Sequence, residues 1–269
     1  MQKKKIMFLL FFLVILIFLS YISIQRYNVY AKSLQYAYEL ENMDISSPFS
    51  IDKIVFFSSA TAEADINANS TIKIHNLKQF TDIALFLNND TIDDYNMKNT
   101  LKKVTLSNIT INSQSNVGEP SLYYKNIQYF GKNIDKLPNK IEENFEFIIS
   151  SEDIIDFDTP TLYNNTANPI TLCYINSNIK NNYTLSDDIP SISYDGSLLK
   201  RCGITLNSIS CNIQFLITIE NNLNEIYTCP VEFSIPLSTE NTTLYDGNIV
   251  LTKETKLNFI KNIVKKDLE

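Results

Sequence analysis

Two neighbouring segments late in the chain alternate apolar and polar residues, and this pattern restricts them to β-strands. Their apolar positions are Cys211, Ile213, Phe215, Ile217 and Ile219, then Cys229, Val231, Phe233, Ile235 and Leu237. Successive side chains of a strand point to opposite faces of a sheet, so a period of two places all of these residues on one buried face. The polar segment Asn221–Asn224 between them predicts a hairpin turn. Pro230 and Pro236 lack the N–H that a ladder needs, so we expect the second strand at a sheet edge or with a bulge.

The same alternation recurs earlier in the chain. Ile72 and Ile74 alternate with polar residues, as do Phe145, Phe147 and Ile149 over most of their segment. Many short strands separated by turn signals are typical of an all-β, antiparallel β-sandwich. Residues 253–266 fit a helix or a strand equally well. Further strands are predicted at 51–58, 82–88, 101–112, 121–128, 169–176, 203–209 and 248–252.

The N-terminal part has a different pattern. Residues 6–24 are nineteen residues without a charge, and Lys3, Lys4 and Lys5 precede them. Such a run can cross a hydrocarbon core of about 30 Å as a helix. A lysine cluster before a first span holds the N-terminus in the cytoplasm, which predicts a single-pass plasma-membrane protein with an extracytoplasmic ectodomain. The alternative is a secretory signal peptide cleaved near Ala31, which would release a secreted protein.

These patterns predict a chain in several parts, whose sandwich region forms one large sandwich or two small ones. No cofactor is predicted. The parts are a cytoplasmic basic tail (1–5), a transmembrane signal-anchor helix (6–26), a helical stalk (27–45), a first sandwich part (46–130), a linker or long loop (131–144) and a second sandwich part (145–269).

The charge of the exported part narrows the classes of partner. The chain has a net charge of −7, and residues 1–26 hold four of its 23 basic residues and none of its 30 acidic ones, so about −11 remains outside. A field of that sign disfavours nucleic acid and anionic membrane surfaces. The many Asn and Ile residues and only five Gly indicate AT-rich coding and a bacterial source.

Four cysteines, Cys173, Cys202, Cys211 and Cys229, are candidates for disulfides. The chain has no Cys-x-x-Cys and a single His, which excludes the usual zinc sites. Outside the cell they could form one or two disulfides, with three possible connectivities. A hairpin turn near Asn222 would offset Cys211 from Cys229, which favours Cys202 or Cys173 as the partner of either. The alternative is four buried free thiols that pack as small apolar residues.

The segment Ile226–Cys229 resembles sortases, exported cysteine transpeptidases that place a nucleophilic Cys after a Thr at a strand end. In that family a His upstream and an Arg shortly after the Cys assist the reaction. Here His75 lies far upstream, and Arg201 precedes Cys229. The resemblance covers four residues and departs from the family in order, so no catalytic residue is predicted.

Other polar constellations are weaker. Ser197–Lys200 matches the Ser-x-x-Lys of penicillin-binding proteins, but no Lys-Thr-Gly or Lys-Ser-Gly accompanies it, and we expect strand and turn there. Two acidic clusters lack the glycine that sharp calcium loops often use, so we expect solvated loops and no metal site. These clusters are Glu152, Asp153, Asp156 and Asp158, and Asp90, Asp93 and Asp94.

The sequence therefore predicts a non-enzymatic protein of a bacterial cell envelope with a structural or protein-interaction role. The late proline-bearing strand would offer its edge to an envelope protein partner. One alternative is a glycan-binding or wall-binding adhesive ectodomain that uses tyrosines near turns. A second alternative is a cysteine-dependent envelope enzyme with Cys229 as nucleophile. The tyrosines are Tyr123, Tyr124, Tyr163, Tyr194 and Tyr245.

Overall fold

The computed structural model describes the chain in twelve segments and divides it into two compact units, residues 1–45 and 46–269. In the first unit, residues 18–31 form helix α1, and nearly all of its side chains are exposed. The rest of the predicted span and stalk lies outside the described residues. Within the described part of the chain, no helix combines the length and apolarity that a membrane crossing needs. The described residues are 18–31, 47–66, 71–89, 97, 99–113, 117–134, 136–151, 158–163, 168–185, 193–236, 245 and 247–262.

The second unit is built mainly of strands. One short helix, α2 (Ser197–Arg201), and two 3-10 turns, Ile127–Tyr129 and Leu206–Ile209, accompany them. The strands are β1 (Phe49–Ile66), β2 (Ile72–Asn89), β3 (Leu101–Ser113), β4 (Glu119–Tyr124), β5 (Lys140–Ile141), β6 (Phe145–Ser150), β7 (Thr161–Tyr163), β8 (Asn168–Ser177), β9 (Tyr183–Leu185), β10 (Cys211–Asn221), β11 (Ile226–Ile235), β12 (Ile249–Asn258) and β13 (Ile260–Asn262).

The strands form two sheets, which confirms the all-β class. The first sheet has the order β12-β1-β2-β8-β4-β5, with β9 also paired to β2. The second has the order β13-β11-β10-β3-β6-β7. Among the described strands, every ladder is antiparallel except that of β6 and β7. Because β8 lies between β2 and β4, strands from both sides of the predicted 131–144 linker share one sheet. The described strands of the second unit therefore belong to a single two-sheet arrangement.

The main core lies between the sheets, where the inward side chains of both sheets are packed together. Phe49 meets Tyr227 edge-on with ring centroids 5.4 Å apart, and Phe56 meets Phe233 in the same way at 5.4 Å. Full burial of such a side chain contributes about 1.5–3 kcal/mol. The inward residues of the first sheet include Ile83, whose relative exposure is 0%.

The β10–β11 hairpin matches its sequence pattern. Burial alternates strictly along both strands, and the turn falls between Asn221 and Ile226. Cys211 lies opposite Ile235 and Cys229 opposite Ile217, so the predicted offset of the two cysteines is confirmed. On its other side β11 pairs with β13 only over Ile226–Thr228. The remainder of β11 is an edge within the described residues, as its prolines predicted.

A second cluster of buried residues lies where β1 and β2 pack against β9, α2 and the second 3-10 turn. Two expectations for this region are wrong. Residues 203–209 form a turn and a 3-10 turn instead of a strand, and Ser197–Arg201 form a helix instead of strand and turn. Apolar residues spaced by two or three positions suit either geometry, and packing into this cluster selects the helical one. For residues 253–266 the sequence allowed a helix or a strand. The described part holds the end of β12, up to Asn258, and strand β13 (Ile260–Asn262), and the remaining residues lie outside the described part. The buried members are Ala60, Ile72, Ile74, Leu77, Ile179, Leu185, Leu198, Leu199, Cys202 and Ile209.

Candidate functional site

All four cysteines are buried free thiols in this structure. Cys211 and Cys229 belong to the main core, and Cys202 belongs to the second cluster. Cys173 lies on the face of the first sheet that points away from the second sheet, which we call the outer face. Burial raises the pKa of each thiol, that of Cys229 to about 11. A thiol with that pKa is almost entirely protonated near neutral pH, so Cys229 is a poor nucleophile.

The other residues of the sortase-like pattern are engaged elsewhere. The imidazole of His75 lies 3.0 Å from the carboxylate of Asp65, at the β1–β2 ladder. Arg201 ends helix α2. Burial is the cause of the raised pKa of Cys229, with no contribution from a charged neighbour. The S–H of Cys229 donates to the carbonyl of Pro230 in the same strand.

Ser197 does lie at the start of a helix, as the Ser-x-x-Lys motif requires, but its hydroxyl donates to the carboxylate of Asp195. Lys200 is exposed. Of the two acidic clusters only Asp158 falls within the described residues, and no group of three potential metal ligands occurs among those residues.

The five tyrosines have divergent environments. Tyr124 is buried in the main core beside Phe145. The hydroxyl of Tyr245 donates to the carbonyl of Ile204 at the second cluster. Tyr194 is 51% exposed, and Tyr163 is half-buried. Tyr123 lies half-buried on the outer face. The structure thus does not gather the predicted tyrosines into one sugar-binding surface.

The sandwich presents two open edges on its late strands. Along β11 the stretch Cys229–Ile235 has no neighbour on one side within the described residues, and Pro230, Glu232 and Ser234 are exposed there. Strand β12 pairs only with β1, so its opposite side is open from Ile249 to Asn258 in the described structure. Alternate residues of an edge strand direct unpaired N–H and C=O groups outward, which makes such an edge a template for another strand.

A buried ion pair on the outer face was not predicted from the sequence. The ammonium of Lys125, just after β4, lies 2.6 Å from the carboxylate of Asp82 on β2. The relative side-chain exposures are 3% and 0%. The same carboxylate oxygen accepts the N–H of Gly131 at 2.7 Å, and the ammonium also donates to the carbonyl of Lys132 at 2.6 Å. The pair therefore ties the loop after β4 to the sheet.

The electrostatics of this pair reflect its burial. Burial raises the pKa of Asp82, and the neighbouring ammonium, the Cys173 thiol and the Gly131 N–H act in the opposite direction. Cys173 stands directly opposite Asp82 in the β2–β8 ladder. One sequence signal could have found the pair, since Asp82 is the single charged residue of the predicted strand 82–88, which is otherwise largely apolar.

No protein-family model matches this chain, and neither a curated protein nor a solved structure is similar enough to count as a match.

Proposed function

We propose that this protein is a non-enzymatic component of a bacterial cell envelope that binds a protein partner by strand addition. Residues 6–24 with the preceding lysines support a tether in the plasma membrane, with the N-terminus in the cytoplasm and the sandwich outside. The observation that carries the binding role is the open edge of β12, ten residues long and free of proline.

Strand β12 suits this role better than the proline-bearing edge expected from the sequence. Pro230 and Pro236 remove backbone donors from the β11 side, which is a common protection against unwanted pairing. Strand β12 keeps all of its N–H groups. In strand addition, main-chain hydrogen bonds supply affinity, and alternate side chains supply specificity.

The side chains of β12 indicate what the added strand carries. Val250 is 66% exposed, and Lys253, Glu254 and Lys256 are also exposed. Two lysines and one glutamate favour a partner strand with an acidic residue, because opposite charges across a ladder stabilise it. An apolar residue opposite Val250 would cover its side chain.

The test is site-specific photo-cross-linking of the full-length protein in its native host. A photoreactive amino acid replaces Val250 on β12 in one strain and Leu223, 48% exposed in the β10–β11 turn, in the control strain. We expect one abundant adduct from position 250, identified by mass spectrometry as an envelope protein, and none from position 223. Equal or absent adducts at both positions would contradict the proposal.

A further inference from the structure

A second surface, independent of β12, is a cleft of about 670 Å³ on the outer face of the first sheet. Phe80, Tyr123 and Ile175 from β2, β4 and β8 lie in its lining on the sheet side. The opposite wall includes five residues of the loop after β4, namely Asn133, Ile134, Lys136, Leu137 and Pro138. The volume falls within the range of about 300–1,000 Å³ that small-ligand sites have.

The Lys125–Asp82 pair fixes this wall in place. It holds the backbone at Gly131 and Lys132, immediately before the lining residues. A buried ion pair adds little net stability compared with apolar residues of similar size, because desolvation offsets the attraction. We therefore assign the pair a positioning role: it keeps the loop over the sheet and the cleft formed before any ligand arrives.

The lining carries positive charge that the described residues do not neutralise. Lys78 and Lys136 both line the cleft, and no carboxylate of the described residues lies within ion-pair distance of either ammonium. Among the described residues, Asp158 is the one acidic residue of the lining. Two lysines against one aspartate make the described lining net positive in a chain of net charge −7, which favours an anion in the cleft.

The uncharged lining groups favour a sugar over other anions. Asn133 and Asn178 present side-chain amides suited to hydrogen bonds with sugar hydroxyls. Asn76 and Ser177 also line the cleft, but the Asn76 amide donates to Glu63 and accepts the N–H of Asn178, and the Ser177 hydroxyl donates to the carbonyl of Glu119. Tyr123 offers a half-buried ring on which the C–H face of a sugar can pack.

We propose that this cleft binds an anionic glycan, a short run of sugar or polyol units that carry carboxylate or phosphate groups. Lys78 and Lys136 contact the anionic groups, and Tyr123 packs against a ring. This site uses a different face of the sandwich from β12, so either proposal can fail without the other.

The test measures binding to the full-length protein in detergent micelles by isothermal titration. One anionic probe is a tetrasaccharide of alternating glucuronic acid and N-acetylglucosamine, and the other is a glycerol-phosphate tetramer. Chitotetraose is the neutral probe, and inorganic phosphate tests whether the anion alone suffices. We expect at least one anionic probe to bind, which also tells carboxylate from phosphate. We expect added salt to weaken that binding and chitotetraose to bind at least about 10-fold more weakly.

Variants locate the binding. Lys78→Met and Lys136→Met remove an ammonium and keep most of the side-chain stem, and each is expected to weaken the anionic probe about 10-fold or more. Lys132→Met is the matched control, an exposed lysine of the same loop whose side chain is not in the lining, and it should change affinity less than about 2-fold. Circular dichroism verifies that each variant is folded.

The results that would overturn the proposal are specific. They are the absence of binding by both anionic tetramers, equal binding of chitotetraose, inorganic phosphate binding as tightly as the tetramers, or equal losses in Lys132→Met and in the two cleft variants.

Discussion

The two faces of the first sheet bury their residues in different ways. On the inner face, Ile83 and its neighbours pack against a second sheet, and the two buried charged side chains among the described residues, Asp82 and Lys125, are not members of this main core. On the outer face, one position earlier along the same strand, Asp82 is equally buried, but beneath a loop and against a lysine. A sheet satisfies its own backbone groups and can present an apolar surface, whereas an irregular loop brings free N–H and C=O groups that need polar partners. Burial by a loop therefore favours polar residues at a position where burial by a sheet favours apolar ones.

The largest expected effect comes from breaking the ion pair. Asp82→Ala leaves the Lys125 ammonium buried without its counter-charge, so we expect a loss of about 3–5 kcal/mol in the free energy of unfolding. The double variant Asp82→Leu with Lys125→Met removes both charges and should recover most of it. Urea denaturation followed by circular dichroism measures both, since the chain has no tryptophan. A double variant as unstable as the single one would mean that the pair stabilises the fold directly.

On the inner face the cost is that of a cavity. Ile83→Ala should lower the free energy of unfolding by about 2–5 kcal/mol, by loss of apolar contact and incomplete repacking. Ile148→Ala, at a residue that is 56% exposed, is the control and should stay within about 0.5 kcal/mol. A second substitution at a charged residue should not restore the stability of Ile83→Ala. On the outer face, by contrast, replacing both Asp82 and Lys125 should restore most of the stability.

Burial between the two sheets can be predicted from the sequence more readily than burial beneath the loop. The alternation at Cys211–Ile219 and Cys229–Ile235 predicted the hairpin, its inward face and its edge, because a period of two follows directly from strand geometry. Nothing local links Asp82 to Lys125, which is 43 residues away. Their contact depends on the order of β2, β8 and β4 in the sheet, and that order depends on tertiary packing. The helix α2 was missed because a one-turn helix has no full period to detect.

The rate of thiol labelling shows how readily the loop-covered outer face and the main core become exposed to solvent. A loop can detach while the sandwich stays folded, whereas the main core opens only with global unfolding. We expect N-ethylmaleimide to modify Cys173 at least about 10-fold faster than Cys211 or Cys229 under native conditions, as read by peptide mass spectrometry. Lys125→Met should raise the Cys173 rate further. Identical rates for all three would show that the loop opens only with the whole domain.

The smallest expected effect is on the pH dependence of stability. It should differ between Glu225, whose carboxylate accepts several hydrogen bonds, and the buried Asp82. Burial acts to raise the pKa of Glu225, but hydrogen bonds from Lys261, Asn221 and Tyr227 outweigh it and lower the pKa to about 2. Its folded pKa lies below its unfolded value of 4.5, so its contribution to stability is present above that value and is lost as pH falls towards about 2.

The pH dependence of stability has the opposite sign for Asp82, because its pKa is raised in the folded protein. The free-energy cost of its ionisation therefore falls as pH is lowered. Glu225→Gln should therefore cost on the order of 1 kcal/mol at pH 7 and less at pH 3, measured by urea denaturation at both values. If Glu225→Gln lowers the free energy of unfolding equally at both pH values, Glu225 stabilises the fold through hydrogen bonds that do not depend on its charge. Glu225 and Asp82 would then differ in their burial and not in the sign of their pH dependence.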